Sequence, residues 1–184
     1  IGLGVPFLLV AAFFPRLSGL MAAMKRHMPR RGRWPAAPIL LDSRYGLLRF
    51  GGLTIAAPNE SEVEQLLGVT IDDDPRALEQ AGRAILKQSR LRAVLITRGS
   101  RGMALFEPGR RTQHIGVYGS NEVADVTGAG DTVIATMALA LSVGASYLEA
   151  ALLATYAGGL VVMKRGTASV TAAELEGAVE DDLG

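Results

Sequence analysis

Ala93-Val94-Leu95-Ile96-Thr97 is a run of four apolar residues closed by Thr97, with no polar position between them. A strand with one wet face alternates apolar and polar residues, so an unbroken run needs cover on both faces. The flanking segments supply that cover. Upstream, Leu78, Ala81, Ile85 and Leu86 recur at helical spacing between Asp74-Pro75 and Arg90. Downstream, Val133 to Leu141 forms an apolar helix that stops near Gly144. Strands alternating with helices predict an α/β fold, a mostly parallel sheet with helices on both sides.

The remaining segments fit this scheme. Ala37 to Asp42 reads as a buried strand ending in a carboxylate, followed by the polar turn Ser43-Arg44-Tyr45-Gly46. Leu53 to Ala57 is a second strand, stopped by Pro58. Asn59 then N-caps a helix, with Glu62 three residues on in capping-box spacing and Val63, Leu66 and Leu67 as its apolar face. Met103 to Phe106 and Gln113 to Tyr118 pair about a hairpin turn at Pro108-Gly109. Two more helices follow, from about Tyr147 to Met163 and from about Thr171 to Asp181, the second opened by a Thr171/Glu174 capping box. There is no internal repeat and no low-complexity tract.

Composition narrows the function. The 184 residues are enough for one domain with a real core. Nineteen basic and 18 acidic residues leave a net charge of +1, so no global field favours nucleic acid or a membrane. The absence of cysteine removes disulfides, thiolate catalysis and Cys–metal sites, and fits a cytoplasmic location. His27 and His114 lack the partners that a metal site requires. Ile1 to Phe14 is almost wholly apolar but contains Pro6 and is too short to span a bilayer, and a basic run from Lys25 to Arg33 follows it. We read this segment as the cut end of a longer chain, a core strand and then a helix from about Leu17 to His27. Interfacial anchoring is the alternative.

Asp125-Val126-Thr127-Gly128-Ala129-Gly130-Asp131-Thr132 carries the chemistry. It sets three small residues between two carboxylates at a predicted helix start. Amides at a helix start lack intrahelical partners and lie at the positive end of the dipole. Without bulky side chains on Gly128, Ala129 and Gly130, an anion can approach them closely. Asp131 would hold a carboxylate beside that anion, an arrangement suited to phosphoryl transfer to a hydroxyl. Plain helix capping is the other reading of such a stretch.

The octad closely resembles the C-terminal signature of the ribokinase-like (PfkB) family of sugar kinases. The resemblance implies that Asp131 is the catalytic base and that Gly128, Ala129 and Gly130 form the anion hole for the transferred phosphate. Thr136 stands where the family pattern usually has Ala or Gly. Three further elements follow the family order. Asn59 and Glu62 match an Asn-x-x-Glu motif that organises Mg²⁺ and phosphate, largely through water. Thr97, Gly99 and Gly102 match a Thr-x-Gly-x-x-Gly element that lines the nucleotide site, where Arg98 or Arg101 could meet phosphate. Each also has a plain reading, a capping box and an ordinary turn. Thr155 and Gly158 lie on the helix that flanks the adenine in the family, with Thr155 where Asn often stands; close helix packing also suffices for this small-residue stretch. Thr127 belongs to the same nucleotide set, and Asp125 with Glu62 to the metal set. Val161 to Gly166, with carbonyls near Asp125 and Thr127, matches a stretch that holds a monovalent cation such as K⁺ in many members.

The resemblance runs from Ile39 to Asp182 and implies a ribokinase-like three-layer sandwich without its N-terminal half and lid. On that reading 1–38 is an irregular or truncated N-terminal segment and 39–184 the ATP-binding and catalytic portion. Asp42 to Tyr45, Thr54 to Glu64, the Thr97–Gly102 turn and the octad look most like the heptose-7-phosphate kinase branch. The implied cofactors are ATP and Mg²⁺, with K⁺ as an option. The implied partner is a sugar or sugar phosphate, with homodimerisation through lid elements common in the family. The alternative from another class is a nucleotide-binding or regulatory module that transfers no phosphate.

Overall fold

A computed structural model describes residues 38–42, 47–49, 53–119, 126–166 and 168–183. The apolar and basic segments before residue 38, the turn at Ser43–Gly46 and Asp125 lie outside the described residues. Five strands form one sheet in the order β1 (Leu40–Leu41), β2 (Ile55–Ala56), β3 (Ala93–Thr97), β4 (Met103–Phe106) and β5 (Gln113–Ile115). β1, β2 and β3 are parallel, whereas β4 and β5 are antiparallel additions. The mostly parallel expectation thus holds over β1–β3, and the sheet becomes mixed where the short Arg98–Gly102 turn joins β3 to β4. A tight turn can join only antiparallel neighbours, which is why the direction changes there.

β3 is buried on both faces, as its sequence requires. Val94 and Ile96 face one core with Ala56, Ala104 and Phe106, and Ala93 and Leu95 face the other with Ile55, Met103 and Leu105. The first core is closed by α1 (Glu60–Leu67) and α2 (Pro75–Ser89) through Val63, Leu78, Ala81, Ile85 and Leu86. The second is closed by α3 (Ala129–Ser142) and α4 (Tyr147–Val162) through Val133, Met137, Ala150 and Ala154. Helix, sheet and helix make the three layers. Fully burying each large side chain in these layers contributes about 1.5–3 kcal/mol, so the two faces dominate the stability.

Phe106 shows how tightly α2 seats. A methyl at Gly82 would lie 2.4 Å from its ring, so only glycine lets the helix lie flat on the ring. Arg83 sits over the same ring at 5.6 Å from its centroid and ties α2 to the hairpin. Its guanidinium donates to Glu79 Oε1, to the Glu107 and Arg110 carbonyls and to Thr112 Oγ1.

Helix ends follow the sequence signals. Asn59/Glu62 closes a capping box on α1, and Asp74 accepts from the Arg76 amide at the start of α2, where Pro75 follows it. A further capping box, Ser146/Glu149, opens α4. The last helix, α5 (Ala172–Leu183), is preceded by Thr171, whose amide and hydroxyl both donate to Glu174 Oε2 at 2.8 Å. Lys164 Nζ donates to Glu174 Oε1 at 2.7 Å and to the Ser169 carbonyl at 2.7 Å.

The Lys164 ammonium, followed by the Thr171 amide and hydroxyl, holds the Glu174 carboxyl down at about 2. A depressed carboxylate stabilises the fold above its unfolded value, near 4.3, and the contribution is lost as pH falls toward 2. Acid unfolding followed by far-UV circular dichroism should therefore be shallower between these limits in Glu174→Gln than in the wild type. Superimposable acid profiles would exclude this linkage.

Candidate active site

Two of the sequence motifs meet at the carboxyl ends of β2 and β3. The Thr97 amide donates to the Pro58 carbonyl at 3.0 Å, and Asn59 bridges Thr97 in parallel fashion. Main-chain pairing thus carries on past the strands and sets Asn59 beside the turn that Thr97 opens. Asn59 Oδ1 accepts from the Glu62 amide at 2.9 Å, and Glu62 Oε2 accepts from the Asn59 amide at 3.0 Å. The capping reading therefore holds for both residues. It also fixes where their oxygens lie, at the first turn of α1.

The two glycines of the Thr97–Gly102 turn do different work. Gly99 has φ 58° with open space where a methyl would stand. Gly102 has φ 76°, and a methyl there would lie 2.1 Å from the Ile115 carbonyl oxygen. Gly102 lets the turn close against β5, while Gly99 faces open space. The Arg98 amide donates to the Gly102 carbonyl at 2.8 Å and the Gly102 amide to the Gly99 carbonyl at 3.1 Å, closing the turn on itself.

Neither arginine of this turn extends free into solvent. Arg98 Nε donates to Glu60 Oε2 at 2.6 Å and its Nη2 to the Asp72 carbonyl at 2.9 Å. Arg101 donates to Glu60 Oε1, to the Asp72 carbonyl at 2.8 Å and to Asp73 Oδ1 at 2.6 Å. Alongside the phosphate contact considered for them from sequence, both arginines pair with Glu60, whose carboxylate lies within reach of both.

The octad opens α3 as predicted. Gly128, at φ 82°, is the N-cap, and its carbonyl accepts from the Thr132 amide at 3.0 Å and hydroxyl at 2.9 Å. The helix has no side-chain cap, whereas Asn59, Asp74 and Ser146 cap α1, α2 and α4. A side-chain cap is worth about 1 kcal/mol over alanine but only a few tenths over glycine, so with Gly128 in that place α3 forgoes little. Its first amides remain at the positive end of the dipole, except that Ala129 donates to the Val126 carbonyl at 3.3 Å. Among the described residues, methyl groups at Gly128 and Gly130 would meet nothing within 4 Å, which leaves room around this helix start. Asp131 is exposed in the first turn, and Thr127 is exposed just before it. An uncapped helix end with room before it and a carboxylate at its rim can accept an anion such as a phosphate.

α4 lies against α3. Thr155 is buried and its hydroxyl donates to the Ala151 carbonyl at 3.1 Å; a methyl at Gly158 would stand 3.1 Å from Val133 Cγ2. The packing reading accounts for both residues. A methyl at Gly159 would lie 2.3 Å from the Tyr118 carbonyl oxygen, so this glycine admits the chain leaving β5. Tyr118 also meets the Tyr156 ring, 4.7 Å between centroids, and Tyr156 donates to Asp182 on α5 at 2.6 Å. In the stretch matched to the cation loop, the Val161 carbonyl accepts from the Lys164 amide at 2.9 Å. Among the described residues, no group of three or more His, Cys, Asp or Glu converges as a metal site, and no helix is long and apolar enough to cross a membrane.

The model of the pfkB family carbohydrate kinases matches residues 21–173. The chain belongs to the pfkB carbohydrate kinase family. The family match begins upstream of Ile39, inside the segment set apart in the sequence analysis. Bifunctional protein HldE of Methylococcus capsulatus is 45% identical to it over 139 residues, 75% of this chain and 29% of that protein. Among solved structures, Arabidopsis thaliana ribokinase complexed with ribose and ATP matches with a TM-score of 0.64 at 30% identity, covering 70% of this chain and 41% of that one. Escherichia coli phosphofructokinase-2 in complex with potassium matches with a TM-score of 0.65 over 73% of this chain and 42% of that one, at 19% identity, and bears on the fold alone. The fold is therefore ribokinase-like. The chain spans less than a third of the HldE protein and about two fifths of the two kinases.

Within this pfkB framework, Glu60 and Asp72 are the site-proximal residues that sequence reasoning missed. Glu60 carried no signal beyond an acidic first turn. Asp72 at φ 44° is one of two described non-glycine residues with positive φ, which the Asp72-Asp73-Asp74-Pro75 run only hinted at.

Gly102→Ala should cost roughly 2–4 kcal/mol in denaturant unfolding, since backbone strain and a main-chain clash add. Gly99→Ala, with positive φ alone, should cost about 1 kcal/mol. Equal losses would mean that the Ile115 contact does not constrain the turn.

Proposed function

We propose that the protein is an ATP-dependent kinase of a sugar or sugar phosphate, and that residues 39–184 carry its ATP-binding and catalytic portion. The observation that carries this reading is the start of α3, where Gly128 to Thr132 of the octad form a helix end with no side-chain cap and with Asp131 exposed at its rim. Membership of a carbohydrate kinase family supports it. The heptose-7-phosphate 1-kinase branch is the substrate reading we favour, on the motifs at Asp42–Tyr45, Thr54–Glu64, Thr97–Gly102 and the octad.

In this reaction Asp131 accepts the proton of the attacking sugar hydroxyl. The hydroxyl oxygen bonds to the γ-phosphorus as the bond to the β–γ bridging oxygen breaks, and ADP leaves. The amides of Gly128, Ala129 and Gly130 stabilise the phosphoryl oxygens, whose charge is greatest during transfer. The open space before Gly128 and Gly130 fits such a group. Glu62, from the first turn of α1, and Asp125 would hold Mg²⁺ largely through water, as suits an ion that keeps several water ligands. The ion would neutralise phosphate charge. Asn59, Thr97, Gly99, Gly102 and Thr127 are assigned to the nucleotide side, and Thr155 and Gly158 to the helix that walls it. K⁺ near Val161–Gly166 and a cytoplasmic homodimer complete the proposal.

The test is Mg-ATP-dependent phosphorylation of heptose 7-phosphate, ribose, fructose and fructose phosphates. Asp131→Asn should lower kcat by roughly two to four orders of magnitude, the scale of losing a general base in a preorganised site. Turnover near wild type in that variant refutes the assigned base. Saturable ATP binding without transfer to any sugar would instead favour the nucleotide-binding module.

A further inference from the structure

Glu60 lies between the two nucleotide-side motifs, next to Asn59 in sequence, and its carboxylate faces the Thr97–Gly102 turn rather than its own helix. Its side chain is only 12% exposed, and each oxygen takes one arginine, Oε2 from Arg98 and Oε1 from Arg101. The same two guanidinium groups converge a second time, on the Asp72 carbonyl at 2.9 and 2.8 Å. That carbonyl is presented by a residue held at φ 44°, a conformation an Asp adopts at a cost and keeps when its surroundings impose it.

One carboxylate and one carbonyl, each shared by both arginines, thus join three chain segments: the start of α1, the loop before α2 and the turn after β3. Two of these segments carry Asn59, Glu62, Thr97 and Gly99. The pair between Arg98 and Glu60 is mostly withdrawn from water, 13% and 12% exposed, so it is screened far less than a surface ion pair. Main-chain hydrogen bonds close the turn on itself, and the two arginines tie its outer edge to α1 and the Asp72 loop. Among the described residues, a methyl at Gly99 would meet nothing within 4 Å, whereas one at Gly102 would meet the Ile115 carbonyl, so the close approach to β5 is on the Gly102 side.

We propose that Glu60, through Arg98 and Arg101, is a positioning residue that holds the Thr97–Gly102 turn in its nucleotide-receiving shape. This rests on the nucleotide reading of that turn. A turn fixed before binding loses less conformational entropy when ATP arrives, so the clamp acts on nucleotide affinity and leaves the sugar side untouched.

The experiment is Mg-ATP titration by calorimetry on the wild type, Glu60→Gln, Arg98→Gln, the double variant and Glu79→Gln. The last of these breaks the Arg83 pair at the hairpin and serves as a control for general loosening. Glu60→Gln and Arg98→Gln should each weaken Mg-ATP roughly tenfold, and the double variant no more than either, as partners in one unit do. Glu79→Gln should stay within about twofold, as should the KM for sugar in all variants with measurable turnover. Wild-type protein that binds no Mg-ATP would refute the nucleotide reading itself. Wild-type binding with an unchanged Glu60→Gln overturns the clamp alone. Tighter binding in Glu60→Gln also overturns it, since Glu60 would then be withholding the arginines from phosphate. Should Glu60→Gln fail to fold, Arg101→Lys takes its place, keeping the charge but losing the fork. About threefold weaker binding is then expected, and an unchanged affinity refutes the clamp.

Discussion

Burial of β3 on both faces is the constraint from which the rest of the molecule follows. Ala93 and Leu95 point to one helical layer, Val94 and Ile96 to the other, and none of the four is exposed. A strand in that position must receive parallel pairing on one side, and β2 provides it through Ile55 and Ala56. Because the two strands run the same way, their carboxyl ends finish together, and the chain turns there twice within one neighbourhood. The Asn59–Thr97 bridge is the direct result. In open α/β sheets this edge is where ligands bind, and here the family motifs occupy it without any side chain having to reach far.

The fold was legible wherever local chemistry and tertiary packing agree. β3 and β4 begin and end at the predicted residues, because an apolar run bounded by Arg and Gly offers no competing solution. The Asn59/Glu62 and Thr171/Glu174 spacings both became capping bonds. β1, β2 and β5 came out shorter than their apolar runs suggest. Regular pairing there needs a neighbour of equal length, and Leu40–Leu41 and Ile55–Ala56 match only each other and the start of β3. The Ser146/Glu149 box at α4 was overlooked although its spacing is the same as the other two.

At the site, the octad was readable because its glycines and carboxylate must stand in fixed order at a helix start. Its plain alternative, capping, is met by the main chain alone: Gly128 is the N-cap of α3 and no side chain caps it, whereas α1, α2 and α4 each carry a side-chain cap. The arginines of the neighbouring turn were harder to place. An arginine in a Gly-rich turn suits solvent, phosphate or a carboxylate equally well, and only the fold brings Glu60 and Asp72 within reach. Thr155 and Gly158 show the same limit in reverse. Their family positions suggest a nucleotide wall, while the contacts they make are those of helix packing, a hydroxyl returned to its own helix and a methyl-free face against Val133.

Gly159 and Gly158, adjacent on α4, face different neighbours. One accommodates the Tyr118 carbonyl where the chain leaves β5, the other accommodates Val133 on α3. Main chain before the octad and a side chain just after it thus meet a single turn of one helix, where α4 itself contributes no side chain. Mechanically, α4 serves as a common abutment, meeting main chain on the β5 side and one stiff, branched side chain on the α3 side. One turn earlier on α4, Tyr156 meets the Tyr118 ring and donates to Asp182, so the same stretch of helix is tied to the exit from β5, to α3 and to α5.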